Sequence, residues 1–229
     1  MIAIIVPAHD EQDRIEACVR SLRDAALHPG LHGEAVEIVV VLDACRDGTG
    51  QLARQLGART IDVPARNVGL ARRAGAAVAL ASGARWLAFT DADSVVAPDW
   101  LAAQLALNAD VVCGTVAIED WGTYGERMRR HFELTYTDVD GHAHIHGANL
   151  GVSALAYTQA GGFSGLSSGE DVALVEALRA SSAHIVWSRA PRVVTSVRTS
   201  FKAPGGFGAT LLRIEELAQW VSADMPVAA

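Results

Sequence analysis

The run Trp86-Leu87-Ala88-Phe89, followed by Thr90-Asp91-Ala92-Asp93, constrains this chain more than any other stretch. Four apolar residues in a row have the pattern of a strand buried on both faces, as in a parallel sheet covered by helices on either side. Two carboxylates one residue apart stand where that strand reaches its carboxyl edge, the edge at which open α/β sheets bind ligands. Alternate residues of an extended chain share a side, so Asp91 and Asp93 converge on one cation if the backbone stays extended. All-oxygen donors suit Mg²⁺ or Mn²⁺, which take one or two carboxylates and complete their shells with phosphate and water. Neighbouring acids are costly without a positive partner, so the pattern points to a metal–phosphate site. The same residues also read as a plain loop, with Asp93 or Ser94 as a cap and Pro98-Asp99 opening the next helix.

The rest of the first half has the alternation that such a strand needs. Strands are expected at 2–6, 36–42, 59–63 and 86–90, with helices at 13–27, 50–56 and 67–82 between them. Strand–helix alternation with short links means a mainly parallel central sheet, Rossmann-like, flanked by helices and wound by right-handed crossovers. The polar clusters Pro7-Ala8-His9-Asp10-Glu11, Asp43 to Thr49 and Asp91 to Ser94 then open onto one sheet edge.

Beyond Pro98 the rhythm loosens. A helix is expected at 99–108, a strand at 110–118 and a long amphipathic helix at 121–138 carrying Arg127, Arg129 and Arg130. Residues 140–149 are too polar and glycine-flanked for core. Turns at Gly161-Gly162-Phe163 and Ser167-Ser168-Gly169 precede a helix from about Glu170. Strands at 184–187 and 192–196 come next, then a glycine-broken loop at 201–208 and a last amphipathic helix at 209–221. No internal repeat or low-complexity tract is present.

Composition excludes several classes. With 229 residues, half of them hydrophobic and a fifth charged, the chain suits one substantial globular domain. A net charge of −7 argues against a nucleic-acid partner. Cys18, Cys45 and Cys113 have no metal or disulfide spacing and read as reduced thiols of a cytoplasmic protein. No apolar run is long enough for a transmembrane helix, and Met1 runs straight into a strand-like segment rather than a leader. The C-terminal segment allows a peripheral membrane contact.

The order of motifs resembles the family 2 glycosyltransferases of the GT-A fold, inverting enzymes that use nucleotide-activated sugars. Five segments carry the likeness, which runs from Ile2 to about Gly208. Ile5-Val6-Pro7-Ala8-His9-Asp10-Glu11 is similar to the first-strand nucleotide loop. Asp43 to Thr49 matches the second-strand motif, whose leading Asp contacts the base. Gly69-Leu70-Ala71-Arg72 resembles the helix whose Arg reaches the nucleotide. Thr90-Asp91-Ala92-Asp93 matches the metal motif. Gly147-Ala148-Asn149, Gly161-Gly162-Phe163 and Gly169-Glu170-Asp171 match the acceptor side and the general base.

The resemblance therefore implies a single GT-A domain, with residues 1–97 as the nucleotide half, 98–208 as the acceptor half and 209–229 as a C-terminal helix. It implies a nucleoside diphosphate sugar as donor, a UDP-sugar above all, and a hydroxyl as acceptor. Asp171 is the expected base, and its place at a helix start favours the ionised form. Pro7, Ala8, His9, Glu11, Asp43, Arg72, Asp91 and Arg198 are expected on the donor, and Asn149 and Glu170 on the acceptor side. Asp93, with Asp91 beside it or on the ribose, is expected to hold Mn²⁺ or Mg²⁺. Residues 202–208 form a candidate lid.

Some features depart from that pattern or compete with it. His9 and Asp10 stand where relatives often have other small polar residues. His184 precedes an apolar strand and reads as structural rather than as a metal ligand. Alternating His142, His144 and His146 allow a second metal site or a wall of the acceptor pocket. Trp121 and Tyr124 suit stacking on an acceptor or packing in the core. An aspartyl-phosphate phosphatase using Asp91 and Asp93 would need a downstream lysine followed by an acidic pair, and Lys202 is the only lysine. A non-catalytic sugar-nucleotide binder or scaffold is the non-enzyme alternative.

Overall fold

The structure is a computed structural model that describes residues 1–121 and 125–196. The first half follows the expected alternation: β1 (Ile2–Ala8), α1 (Ile15–Ala26), β2 (Val36–Asp43), α2 (Thr49–Gln55), β3 (Arg59–Val63), α3 (Val68–Ala81) and β4 (Trp86–Phe89). β5 (Val95–Val96), α4 (Trp100–Ala106), β6 (Val111–Ala117), α5 (Gly125–Thr135), β7 (Leu150–Ser153), α6 (Ala154–Gln159), α7 (Glu170–Ala180) and β8 (Ile185–Val194) follow. All eight strands join one sheet in the order β3-β2-β1-β4-β7-β6-β8-β5. β5 and β7 run against their neighbours, and the other pairings are parallel, so the sheet is mainly parallel.

Strand alternation places the core on both faces. Ile2, Ile4, Val6 and Ala8 of β1 face one way, against Ile15, Cys18, Val19, Leu22 and Ala25 of α1 and against Trp100 and Leu101 of α4. Ala3 and Ile5 face the other way, against Ala71, Ala76 and Ala79 of α3 and Leu174, Val175 and Leu178 of α7. The small residues of α3 let it lie close on the sheet. At Gly75 a Cβ would come within 2.6 Å of Ile5 Cγ2 and 2.8 Å of Val41 Cγ2. That close approach fixes α3, and with it every side chain that α3 points toward the carboxyl edge.

The second half departs from expectation in four places. The two strands expected at 184–187 and 192–196 are one strand, β8, with an irregularity opposite Gly114 and Thr115 that absorbs residues 189–191. β5, β7 and α6 were not anticipated. Leu150-Gly151-Val152-Ser153 has no alternation to reveal, and β5 is two residues long. The helix expected at 121–138 spans Gly125–Thr135. Residues 140–149, expected to stay out of the core, are buried in part: His142, Gly147, Ala148 and Asn149 are buried, while Asp140, Gly141 and Ala143 are exposed. No helix among the described residues is long and apolar enough to cross a membrane.

Candidate active site

The loops after β1 and β2 are laced together at the carboxyl edge. His9 Nδ1 lies 2.5 Å from the Asp43 carbonyl oxygen. Glu11 N–H donates to Thr49 Oγ1 at 2.8 Å and Gln12 N–H to Asp47 Oδ2 at 3.1 Å. In return, Arg46 N–H donates to Asp10 Oδ1, Gly48 N–H to Gln12 Oε1 and the Cys45 thiol to the Ala8 carbonyl. Asp10, Ala44 and Arg66, all on this rim, hold φ between 47° and 53°. Side chains there are in the left-handed region, a strain that persists only where the surroundings over-determine the backbone.

Asp43 is the anchor of this rim. It is 5% exposed, and its two oxygens accept the N–H groups of Arg66 and Asn67 at 2.6 and 2.7 Å. Asn67 caps α3 by accepting from Leu70 N–H at 2.9 Å. The carboxylate expected at the base of the nucleotide thus also sets the start of the helix that carries Arg72.

Arg72 joins the two halves. Only 3% exposed, it donates from Nη2 to Asp91 Oδ1 at 2.6 Å and from Nη1 to Glu170 Oε1 at 2.5 Å. Burial opposes its charge, but Asp91, Glu170 and Asp171 more than offset that and hold the guanidinium above its ordinary value. Its guanidinium carbon lies 5.6 Å from the centroid of the Phe163 ring. At Gly147 a Cβ would stand 2.4 Å from Arg72 Nη2, so only glycine fits against the guanidinium. The N–H of that glycine donates to Asp171 Oδ2 at 2.8 Å, and Val172 N–H takes Oδ1 at 2.8 Å. Asp171 is half-buried in the first turn of α7.

Asp91 and Asp93 do not lie on an extended chain. β4 ends at Phe89, and Ser94 N–H returns to the Asp91 carbonyl at 3.1 Å, closing a turn. The two carboxylates therefore face different partners: Asp91 takes Arg72, and Asp93 Oδ2 accepts from Ser196 Oγ at 2.5 Å. Burial, with Asp93 and Glu170 near, pushes the Asp91 carboxyl up against the pull of Arg72. Asp91 and Glu170 pair with Arg72, Asp171 acts on the same guanidinium and Asp93 on Asp91, a surplus of negative charge that a divalent ion would relieve.

Two of the expected acceptor contacts are structural instead. Asn149 is fully buried, with Oδ1 accepting from Trp100 Nε1 at 2.9 Å and Nδ2 donating to the carbonyls of Thr115 and Pro191 at 2.6 and 2.8 Å. No part of it is exposed. Glu170 is 6% exposed and committed to Arg72. His184 is exposed at the amino end of β8, opposite the edge where the acidic pair lies.

His142, His144 and His146 form neither a strand nor a metal site. They extend a stack of rings in which Tyr136 lies 4.1 Å from His144 at 8°, with Phe132 behind it and Trp121 edge-on to Phe132. Thr137 N–H donates to His144 Nε2 and His144 N–H to His142 Nδ1, while the Tyr136 hydroxyl lies 2.9 Å from His146 Nε2. The stack thus needs imidazoles with unprotonated nitrogens, and Trp121 belongs to this packing rather than to a free platform.

Burial, then His144, pushes His146 down to about 4, against the pull of Asp171. The unfolded chain binds the proton first as pH falls, so His146 contributes stability that is complete above about 6.5 and lost toward 4. Urea unfolding between about pH 7 and pH 5 should lose more stability in wild type than in His146→Gln. Equal losses would show that the stack does not depend on a neutral His146.

Among the described residues, one set of three metal-type ligands comes within 4.8 Å: Asp10, Cys45 and Asp47. Their atoms are the ones that lace the β1 and β2 loops, which accounts for their closeness. Cys18 and Cys113 are buried, and burial first of all pushes both thiols up, Cys113 to about 12. Arg198, Lys202, the 201–208 loop, the 209–221 helix and Tyr124 lie outside the described residues. Ser196 and Gln12 were not singled out beforehand. Their roles rest on partners far along the chain, and no local pattern marks them.

Residues 3–164 match glycosyl transferase family 2. Comparison with curated protein sequences gives no significant match. Among solved structures, S. aureus TarS 1–349 in complex with UDP-GlcNAc superposes with a TM-score of 0.66 at 16% identity, over 98% of this chain and 68% of that one. A structure of S. aureus TarS gives 0.64 at 17%, covering 86% of this chain but 36% of that one. The mannosyltransferase PcManGT from Pyrobaculum calidifontis, in complex with GDP-Man and Mn²⁺, gives 0.62 at 18%, over 99% and 65%. At these identities the likeness establishes the fold: a mixed α/β domain around one mainly parallel sheet, the GT-A architecture. With more than half of its length matched to the family, the chain belongs to glycosyl transferase family 2.

Proposed function

We propose that this chain transfers a sugar from a nucleoside diphosphate donor to an acceptor hydroxyl, with inversion at the anomeric carbon. The observation that supports this most is the meeting at Arg72 of Asp91, from the end of β4, with Glu170 at the start of α7, where Asp171 is the next residue. Asp91, read as the donor-side carboxylate, and Asp171, read as the base, thus come to one sheet edge from opposite halves of the chain. That the solved relatives were complexed with UDP-GlcNAc and with GDP-Man supports a nucleotide sugar as donor, with uridine favoured.

In this reading the nucleoside lies against Pro7, Ala8, His9, Glu11 and Asp43. Asp171, oriented by the N–H groups of Gly147 and Val172, takes the proton of the acceptor hydroxyl. The freed oxygen attacks the anomeric carbon from the face opposite the diphosphate, whose C–O bond breaks with its electron pair leaving on the phosphate. Arg198 is the proposed clamp on that diphosphate. The oxygen donors at 91 and 93 fit Mn²⁺ or Mg²⁺, with Asp93 as ligand and Asp91, already paired with Arg72, in the outer shell or on the ribose. Such an ion supplies charge stabilisation for the leaving diphosphate.

Incubation with UDP-, GDP-, CDP- and dTDP-sugars and Mn²⁺ should release the free diphosphate from one donor class, by transfer to added acceptor or to water. Proton NMR of the first product formed from an α-linked donor should show the β anomer. A first product that retains the α configuration would contradict inversion.

A further inference from the structure

We infer that Arg72 is a positioning residue: it sets the donor-side carboxylate and the base in fixed relation, and its effect on transfer passes through Asp91 and Asp171 rather than through contact with the nucleotide. The inference rests on the reading of Asp91 as donor-side and Asp171 as base. Three observations carry it. The side chain is 3% exposed, and its two terminal nitrogens each donate to one half of the chain. A planar guanidinium that donates along two fixed directions holds the angle between its acceptors as well as their distance, which a lysine ammonium cannot do.

The surroundings close on that plane. Phe163 covers the guanidinium, and Gly147 lies so near that no side chain fits there. Gly147 in turn gives its N–H to Asp171, so the base is held both through Glu170, its neighbour on α7, and through the residue packed against Arg72. At the amino end of the same helix α3, Asp43 takes the N–H groups of Arg66 and Asn67. One helix thus registers three points: the nucleoside end, the donor carboxylate and the base.

Two measurements test this. The first is calorimetric binding of UDP and GDP with Mn²⁺, with donor turnover alongside, for wild type and Arg72→Lys. A positioning role predicts a Kd within about threefold of wild type and turnover lower by about 100-fold, the scale of a misplacement near 1 Å. Affinity that falls as far as turnover would overturn the inference in favour of direct nucleotide contact. The second is a stability cycle by urea unfolding. Glu170→Gln should destabilise the Arg72 chain and have little effect in Arg72→Met, or in Arg72→Lys if the methionine variant does not fold. Additive effects would show that Arg72 and Glu170 are not coupled and would overturn the bridge. A wild type that binds neither nucleotide speaks against the transferase reading, and the cycle still decides whether the bridge exists.

Discussion

Asp171→Asn is expected to lower sugar transfer by between about 10²- and 10⁴-fold, the usual contribution of a general base, while donor affinity stays close to wild type. Asparagine has the shape of the carboxylate, and its carbonyl can still accept the N–H of Gly147 that lies 2.8 Å from Asp171 Oδ2. What it cannot do is take a proton from the acceptor. The loss should therefore fall on turnover and not on binding or folding. The measurement is kcat beside the thermal stability of the nucleotide-bound protein. A variant that keeps more than about a tenth of wild-type kcat would remove Asp171 from the base role. A variant that also fails to bind nucleotide would place Asp171 on the donor instead.

Asn149→Ala is expected to act on stability, by about 3–5 kcal/mol, because it strips partners from three buried groups at once. Trp100 Nε1 loses its acceptor, and the carbonyls of Thr115 and Pro191 lose a donor. The site has no exposure through which water could replace them. Asn149 follows residues that reach Asp171 and Arg72, so its motif lies near the acceptor while its side chain ties α4, β6 and β8 together. Urea unfolding reads the effect. A raised KM for acceptor with unchanged stability would return Asn149 to the acceptor pocket.

The two cases show where the sequence was legible. From Ile2 to Phe89 the strands, apart from the mixed Arg59–Val63, are largely apolar runs and each helix is an amphipathic or alanine-rich segment, so the alternation and the shared carboxyl edge could be read directly. Past Pro98 the sheet is finished by strands that run against their neighbours or carry glycine, serine and a bulge, and the pattern fades. Within the site, residue types and order pointed to the acidic pair and to Asp171 as candidates. The partners were out of reach: Arg72 meets Glu170 98 positions away, and Asp93 meets Ser196 103 positions away. A buried arginine between two carboxylates and an exposed one waiting for a phosphate look the same in a sequence. The polar tract at 140–149 misled for a related reason, since its histidines, His142 buried and His144 and His146 partly so, stack on one another and on Tyr136, a cost that ring geometry and backbone donors offset.

The central claim is that the carboxyl edge of this sheet binds a nucleoside diphosphate through a divalent ion at Asp93. Thermal unfolding with UDP, GDP, CDP and dTDP, each with and without Mn²⁺, on wild type and Asp93→Asn, tests it most directly. Ligand at a hundredfold excess over Kd stabilises the native state by about 2.7 kcal/mol, a shift of several degrees that is easily seen. The account predicts that one nucleotide stabilises the wild type, that the effect needs Mn²⁺, and that Asp93→Asn abolishes it. A flat response to all four nucleotides, or a shift that survives both the loss of Mn²⁺ and the Asp93→Asn exchange, would contradict it.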